Sequence, residues 1–320
     1  MPEERHPEEN PCPVNWCLQK AGYSQTCQPM TSSTKDRVSP WPRFIPWRRL
    51  MFLSQPRPIN RASLWLLPAL SLLSLAILQL NGGNLPLFLI INGQLGHWLT
   101  PGLWESLTIL GDGLVALTLL LPLYRYRPKL VLSALLAGLI AAFWVHLFKG
   151  TLALPRPVLV LGQEQITQLG PVLKRGSFPS GHTATLFALL GSLFPWLDRK
   201  ARLRLFPLIF SIAGLAALSR IAVGAHWPVD ILFGAAIGWL SAMASGRLLR
   251  GYTPSPAVSV WLGRFLTLCA LYLLLVQDTG YTLGQPLQHG LALLALTLAS
   301  MQHLGVPSPQ AEKDPMSTPG

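Results

Sequence analysis

The chain has 320 residues, half of them hydrophobic, and only 12% are Asp, Glu, Lys or Arg. A soluble globular chain carries about a quarter charged residues, so this composition excludes an ordinary water-soluble domain. The net charge of +12 lies mostly between apolar runs, with no basic patch interleaved with exposed aromatics, which points to membrane orientation and away from nucleic acid.

Residues 1–60 hold ten prolines, both charge signs and little hydrophobic periodicity. They read as a cytoplasmic extension that is either disordered or laid on the membrane surface. The first residues are acidic and lack the apolar core of a signal peptide. Trp41, Phe44, Ile45 and Trp47 alternate with Arg43, Arg48 and Arg49, a mixture suited to a membrane surface; equally, Met51 is a candidate start. Cys12, Cys17 and Cys27 lie in this extension and Cys269 in an apolar run. Their spacing does not suit paired zinc ligands.

The apolar runs predict an all-α, polytopic transmembrane helix bundle. The first span is Ala62 to Leu80. Leu85 to Ile91 is far short of the ~20 residues needed to cross, so Leu85 to Pro101 is expected on the outer surface, with Trp98 as an anchor. Further spans are expected over Leu103 to Tyr124, Leu130 to Phe148, Thr183 to Leu197, Leu205 to Leu218 and Val229 to Ala244, with a polar loop from Lys149 to Gly181. This defines a six-helix core over residues 61–250. Leu262 to Val276 and Leu287 to Met301 add two C-terminal spans within 251–304, and 305–320 form a disordered tail.

Arg125, Arg127 and Lys129, then Arg199, Lys200, Arg202 and Arg204, then Arg247 and Arg250 fall in loops on one side of the alternating helices. The positive-inside rule makes that side, and the N-terminus, cytoplasmic. The expected location is a bacterial inner membrane. Lys149, Arg156, Lys174, Arg175 and Arg220 fall on the opposite side and need another reason to be there.

Three segments at the outer ends of spans supply it: Lys149-Gly-Thr-Leu-Ala-Leu-Pro-Arg156-Pro157, Pro179-Ser180-Gly181-His182, and Ser219-Arg220-Ile-Ala-Val-Gly-Ala-His226-Trp-Pro-Val-Asp230. Lys149, Arg156 and Arg220 offer three cations to a doubly negative group, and the arginine fork suits phosphate. Ser180 and Gly181 precede a helix whose free N–H groups favour anions. His226 and Asp230 are four apart at a helix start. A carboxylate there fixes one imidazole nitrogen and leaves the other free to attack.

Together these segments resemble the signature of the type 2 phosphatidic acid phosphatase family, the lipid phosphate phosphatases related to vanadium haloperoxidases. That signature is Lys, six residues, Arg-Pro; Pro-Ser-Gly-His; and Ser-Arg, five residues, His, three residues, Asp. The resemblance covers about Ala62 to Ala244. It implies that His226 is the nucleophile and forms a phosphohistidine, oriented by Asp230. It implies that His182 protonates the leaving oxygen and later activates water. Lys149, Arg156, Ser180, Gly181 and Arg220 are then the phosphate ligands, with no metal and no cofactor. The implied partners are a lipid phosphate substrate and membrane lipids, with no protein partner evident. Candidate substrates are undecaprenyl diphosphate, phosphatidylglycerol phosphate, phosphatidic acid and lipid A; the first is favoured, because Lys174 and Arg175 could attract a second phosphate.

Around this set, His146 is expected to pack or hydrogen-bond, and His97 to idle at the membrane interface. Glu105 and Asp112 share a helix face, where either could pair with a cation; Asp112, between Gly111 and Gly113, could instead relieve a helix irregularity. Lipid phosphotransfer is the alternative within the resemblance. A transporter would place its charges nearer the midplane, and a soluble haloperoxidase would lack the apolar spans.

Overall fold

The computed structural model describes residues 61–304. The readings for 1–60 and 305–320 lie outside the described residues. Within them, each apolar run of the sequence is helical. Helix α1 (Arg61–Leu80) ends in a turn where Gly82 adopts a φ of 62°. Helix α2 (Asn84–Leu89) follows and runs on through a π turn (Ile90–Gln94) and a 3-10 turn (Leu95–His97). The stretch from Asn84 to His97 lies at 109° to α1. Residues 85–97 are therefore a helical arm turned sharply off the first span, with Trp98 exposed at its end.

The second expected span is two helices. α3 (Pro101–Ile109) and α4 (Gly113–Leu120) meet at 63°. The break comes from Asp112, whose Oδ1 accepts from the backbone N–H of Leu114 at 2.8 Å and of Val115 at 3.3 Å and so caps α4. Asp flanked by glycines thus restarts the helix, which decides between its two readings.

Helix α5 (Pro128–Leu152), a short α6 (Pro157–Leu161), α7 (Gly181–Leu193), α8 (Arg199–Ala222), α9 (Pro228–Leu248), α10 (Pro256–Leu275) and α11 (Gln285–Leu304) complete the order. α5, α8, α9 and α10 are each long and apolar enough to cross a membrane; counting each bent pair as one span gives up to six among the described residues. α7 ends at Leu193, earlier than expected, and closes in a 3-10 turn, Phe194–Trp196. α8 begins earlier than expected. Asp198 caps it through the N–H of Ala201 at 2.8 Å, so Arg199, Lys200, Arg202 and Arg204 ride on its first turns instead of a loop.

Close backbone packing centres on α7 and α9. A Cβ at Gly238 would lie 2.2 Å from the Ala184 oxygen, one at Gly234 2.7 Å from the Ser180 oxygen, and one at Gly191 2.7 Å from the Ala242 Cβ. Small residues let membrane helices approach where larger ones would separate them. At the basic end, Leu130, Trp196, Leu197 and Ala201 pack together, joining the starts of α5 and α8. The far end of α5, 25 residues on and so about 37 Å away, carries Lys149. α10 and α11 pack on α4 through Leu120, Leu121, Leu262, Leu266, Ala270, Ala295 and Ala299.

Candidate active site

Four connections at the end of the bundle away from the basic helix starts build the site. α5 stops at Ala153, whose φ of 43° turns the chain out of the helix. The segment after it pairs with the returning loop: Arg156 N donates to Lys174 O at 2.9 Å, and Ser177 N to Leu154 O at 3.0 Å. The loop is anchored below by Phe178, which stacks on Phe233 of α9 with centroids 4.7 Å apart. It then enters α7 through Ser180.

Ser180 is fully buried. Its Oγ accepts from Thr183 Oγ1 at 3.0 Å and from Thr183 N at 3.4 Å, so it acts as the N-cap of α7. Ser180 N donates to Asp230 O at 3.1 Å, tying the start of α7 to α9. Gly181 is the first residue of α7, with only ordinary clearance, since a Cβ would lie 3.6 Å from Val145 Cγ1. His182 follows, and Gly111 at the α3–α4 break allows close approach, because a Cβ there would lie 2.8 Å from His182 Cβ. The His182 ring makes no hydrogen bond among the described residues.

The end of α8 folds back on itself. Ala225 N and His226 N both donate to Arg220 O, at 3.0 and 3.1 Å, and Gly224 takes a φ of 76°. Asp230 is the third residue of α9, and its Oδ2 accepts from Trp227 N at 2.9 Å, one half of a capping box. The same oxygen meets His226 Nδ1 at 3.1 Å and accepts from the Ser177 hydroxyl. His226 is 2% exposed and Asp230 1%. With the carboxylate ionised, its oxygen only accepts, so Nδ1 carries the ring proton and Nε2 is bare. The elementary requirement of a helix start thus also presents a neutral imidazole.

Burial, and then the charges of Arg156, Arg220, Lys149 and His182, hold the His226 imidazole well below its ordinary pKa. Arg156 is itself lowered to about 10, chiefly by burial and then by Arg220, and stays charged at neutral pH. Its guanidinium donates to the carbonyls of Ala225 at 2.9 Å, Arg175 at 3.2 Å and Gly176 at 3.4 Å. Arg156 therefore ties the loop to the His226 turn, a job the sequence reading did not give it. Lys174 and Arg175 are exposed.

A cavity of about 180 Å³ opens beside His182, lined by Gly111, Gly138, Ala141, Ala142 and His146. His146 is exposed along it, where packing or a hydrogen bond was expected. His97 is exposed as well. Among the described residues Glu105 pairs with no cation; it accepts from the N–H groups of Leu283 and Gly284. Among the described residues no three His, Cys, Asp or Glu side chains gather as a metal site would need.

Three contributors escaped the sequence reading. Ser177 holds Asp230. Asn92, in the π turn, donates to the carbonyls of Thr167, Ile221 and Ala222 and accepts from Thr167 N, locking the loop at Thr167 to the end of α8. Tyr281 accepts from Arg220 at 2.7 Å. Only Ser177 had a local signal, a hydroxyl two residues before Pro179.

Residues 129–251 match the family model described as the PAP2 superfamily, and that stretch contains all three segments of the site. Residues 129–251 of the chain belong to the PAP2 superfamily. It is an integral membrane protein. A lipid A 1-phosphatase of Porphyromonas gingivalis is 38% identical over 71 residues, 20% of this chain. The match spans 14% of that relative's length. The crystal structure of Aquifex aeolicus LpxE is 30% identical, with a match covering 51% of this chain and 94% of that one at a TM-score of 0.45. Relative to the PAP2 model, α1 to α4, α10 and α11 lie outside the matched stretch.

Proposed function

We propose that this PAP2 superfamily protein is a membrane lipid phosphatase working through a phosphohistidine. The observation that carries the reading is the buried His226–Asp230 pair at 3.1 Å, ringed by the charges of Arg156, Arg220 and Lys149 with His182 alongside. In the first step His226 Nε2 forms a bond to the terminal phosphorus as that phosphorus parts from the oxygen linking it to the rest of the lipid, and His182 gives a proton to this leaving oxygen. In the second, His182 takes a proton from water, the water oxygen bonds phosphorus, and the phosphorus–nitrogen bond breaks to release phosphate. Lys149 and Arg220, with the N–H groups at the start of α7, counter the charge of the transferring group, where most of the catalysis of phosphoryl transfer lies. The cavity beside His182 supports the leaving group's arrival from between α5 and α7, at headgroup depth.

The basic starts of α5 and α8 and the basic end of α9 support a cytoplasmic face opposite the site. The site then faces the outer, periplasmic side of a bacterial inner membrane, with the N-terminus inside. Undecaprenyl diphosphate is the favoured substrate on the strength of Lys174 and Arg175. Lipid A is the second reading, favoured by the name of the Porphyromonas gingivalis relative.

The test is phosphate release by the purified protein, in one detergent with a chelator present. The panel is undecaprenyl diphosphate, lipid A, phosphatidic acid, phosphatidylglycerol phosphate and a small soluble phosphate ester. A lipid is expected to exceed the soluble ester in kcat/KM by orders of magnitude, because each buried methylene contributes about 0.8 kcal/mol. Vanadate, a mimic of five-coordinate phosphorus, is expected to inhibit. Equal efficiency on the soluble ester, or activity that requires added magnesium, overturns the reading.

A further inference from the structure

The C-terminal helices α10 and α11 lie beyond the family-matched stretch, yet the turn between them reaches the site. Arg220 Nη1 donates to the Tyr281 hydroxyl at 2.7 Å, and its Cζ lies 5.7 Å from the centre of the tyrosine ring. Arg220 is 4% exposed and Tyr281 5%. Arg220 Nε is buried with no partner among the described residues, so the fork is held at one prong and has a donor to spare.

Both sides of the turn are held. Outward, the Tyr281 ring lies flush on the loop: a Cβ at Gly170 would sit 2.3 Å from its Cε1, and Gly170 has a φ of 69°. Beside it, a Cβ at Gly280 would sit 2.6 Å from Pro171 Cγ. Inward, the buried Glu105 of α3 accepts at Oε2 from Leu283 N at 2.8 Å and Gly284 N at 3.2 Å. Gly284 N and Gln285 N return to Tyr281 O, each at 3.1 Å. A chain of contacts therefore runs from Glu105 through residues 281–284 to Arg220.

We infer that Tyr281 is a positioning residue for Arg220, supplied by the C-terminal helix pair, and that Glu105 holds the turn that carries it. A phenol suits the task because it accepts a hydrogen bond without cancelling the guanidinium charge, as a carboxylate would. No carboxylate pairs with Arg220 among the described residues. The inference rests on the phosphatase reading, in which Arg220 counters phosphate charge.

The test is Tyr281→Phe, which keeps the ring packed on Gly170 and removes only the hydroxyl. On the best lipid substrate of the wild type, kcat/KM is expected to fall roughly tenfold, a loss of the order expected when a charged group is held slightly out of place. Vanadate inhibition is expected to weaken by a similar factor, with the thermal unfolding midpoint in detergent close to wild type. The decisive readout is coupling. In an Arg220→Lys background, which lacks the fork, Tyr281→Phe is expected to cost less than twofold. An equal loss in both backgrounds, or unchanged kinetics in Tyr281→Phe, overturns the positioning role while leaving the phosphatase reading intact. A wild type that releases no phosphate from any lipid overturns that reading and this role with it.

Discussion

Ser177 and His226 meet the same oxygen of Asp230, the first through its hydroxyl and the second through Nδ1 at 3.1 Å. Trp227 N adds a third donor at 2.9 Å. One carboxylate oxygen thereby collects the loop, the turn and the start of α9, and the orientation of the imidazole depends on all three.

A graded series of losses follows from that arrangement. His226→Ala is expected to abolish phosphate release, since it removes the proposed attacking atom. Asp230→Asn is expected to retain a trace, because it orients rather than attacks; loss of an orienting carboxylate beside a catalytic histidine costs on the order of 10⁴ in rate in the protease triad. Ser177→Ala removes one of three donors and is expected to lower kcat only about tenfold, with about 1 kcal/mol lost from folding. Single-turnover assays on the three variants check the order, and a Ser177→Ala variant as inactive as His226→Ala contradicts it.

The depressed pKa of His226 has a consequence for stability. Its cause is burial first and the neighbouring cations second. The unfolded chain takes up a proton at this residue as pH falls through the ordinary value of 6.5, while the folded protein stays neutral there. The unfolded state then binds more protons at this residue, so the stability that the neutral His226 contributes is full above about 6.5 and declines as pH drops below it. Unfolding midpoints in detergent at pH 7.5 and 5.5 are expected to show this contribution as a difference, the wild type losing more stability on acidification than His226→Ala. An identical pH dependence in the two proteins contradicts a neutral buried imidazole.

Much of this was legible in the chain because the physics is local. Apolar length marked α1, α5, α8, α9 and α10, and the helix-start grammar around Pro228 and Asp230 placed the histidine–carboxylate pair. The break at Asp112 was half legible: an Asp between two glycines is a capping signal, but it sits inside an unbroken apolar stretch. What could not be read is contact over long sequence separation. Nothing near Tyr281 marks it as a partner of Arg220, and nothing near Asn92 announces that it closes the end of α8. The second task of Arg156 was hidden for a related reason. An arginine offered to phosphate and one that also ties backbone carbonyls look alike until the loop at 174–176 is folded against it.

The glycines of α9 carry a separate expectation. At Gly238 an added Cβ would meet the Ala184 oxygen at 2.2 Å and the Ala188 nitrogen at 2.9 Å, both backbone atoms that cannot rotate away. Gly238→Ala is expected to push α9 off α7 and to destabilise by about 1–3 kcal/mol. Because Ser180 N bonds Asp230 O across the same pair of helices, activity is expected to fall as well. Gly246, one helix face along, has nothing within 4 Å, so Gly246→Ala is expected to be neutral or slightly stabilising. Thermal unfolding of the two variants side by side checks this, and equal midpoints contradict the packing argument.

The proposed topology can be tested at two exposed positions at opposite ends of α5 and α8. Gln165 lies in the loop on the side of Lys149 and His226, and Lys200 lies in the first turn of α8 among the basic residues. Ala201 would be a poor probe, since it is 4% exposed and a cysteine there would be shielded on either side of a membrane. In a background with Cys12, Cys17, Cys27 and Cys269 replaced, Gln165→Cys is expected to react with an impermeant thiol reagent on intact spheroplasts. Lys200→Cys is expected to react only after permeabilisation. The reasoning is energetic as well as statistical: the basic residues at 125–129, 199–204 and 247–250 gather at one end, and short loops carrying Lys and Arg are retained on the cytoplasmic side. Two of the five cations at the other end are held by the fold, Arg156 by carbonyls and Arg220 by Tyr281. Labelling of Lys200→Cys in intact spheroplasts with protection of Gln165→Cys would reverse the orientation and move the site to the cytoplasmic face.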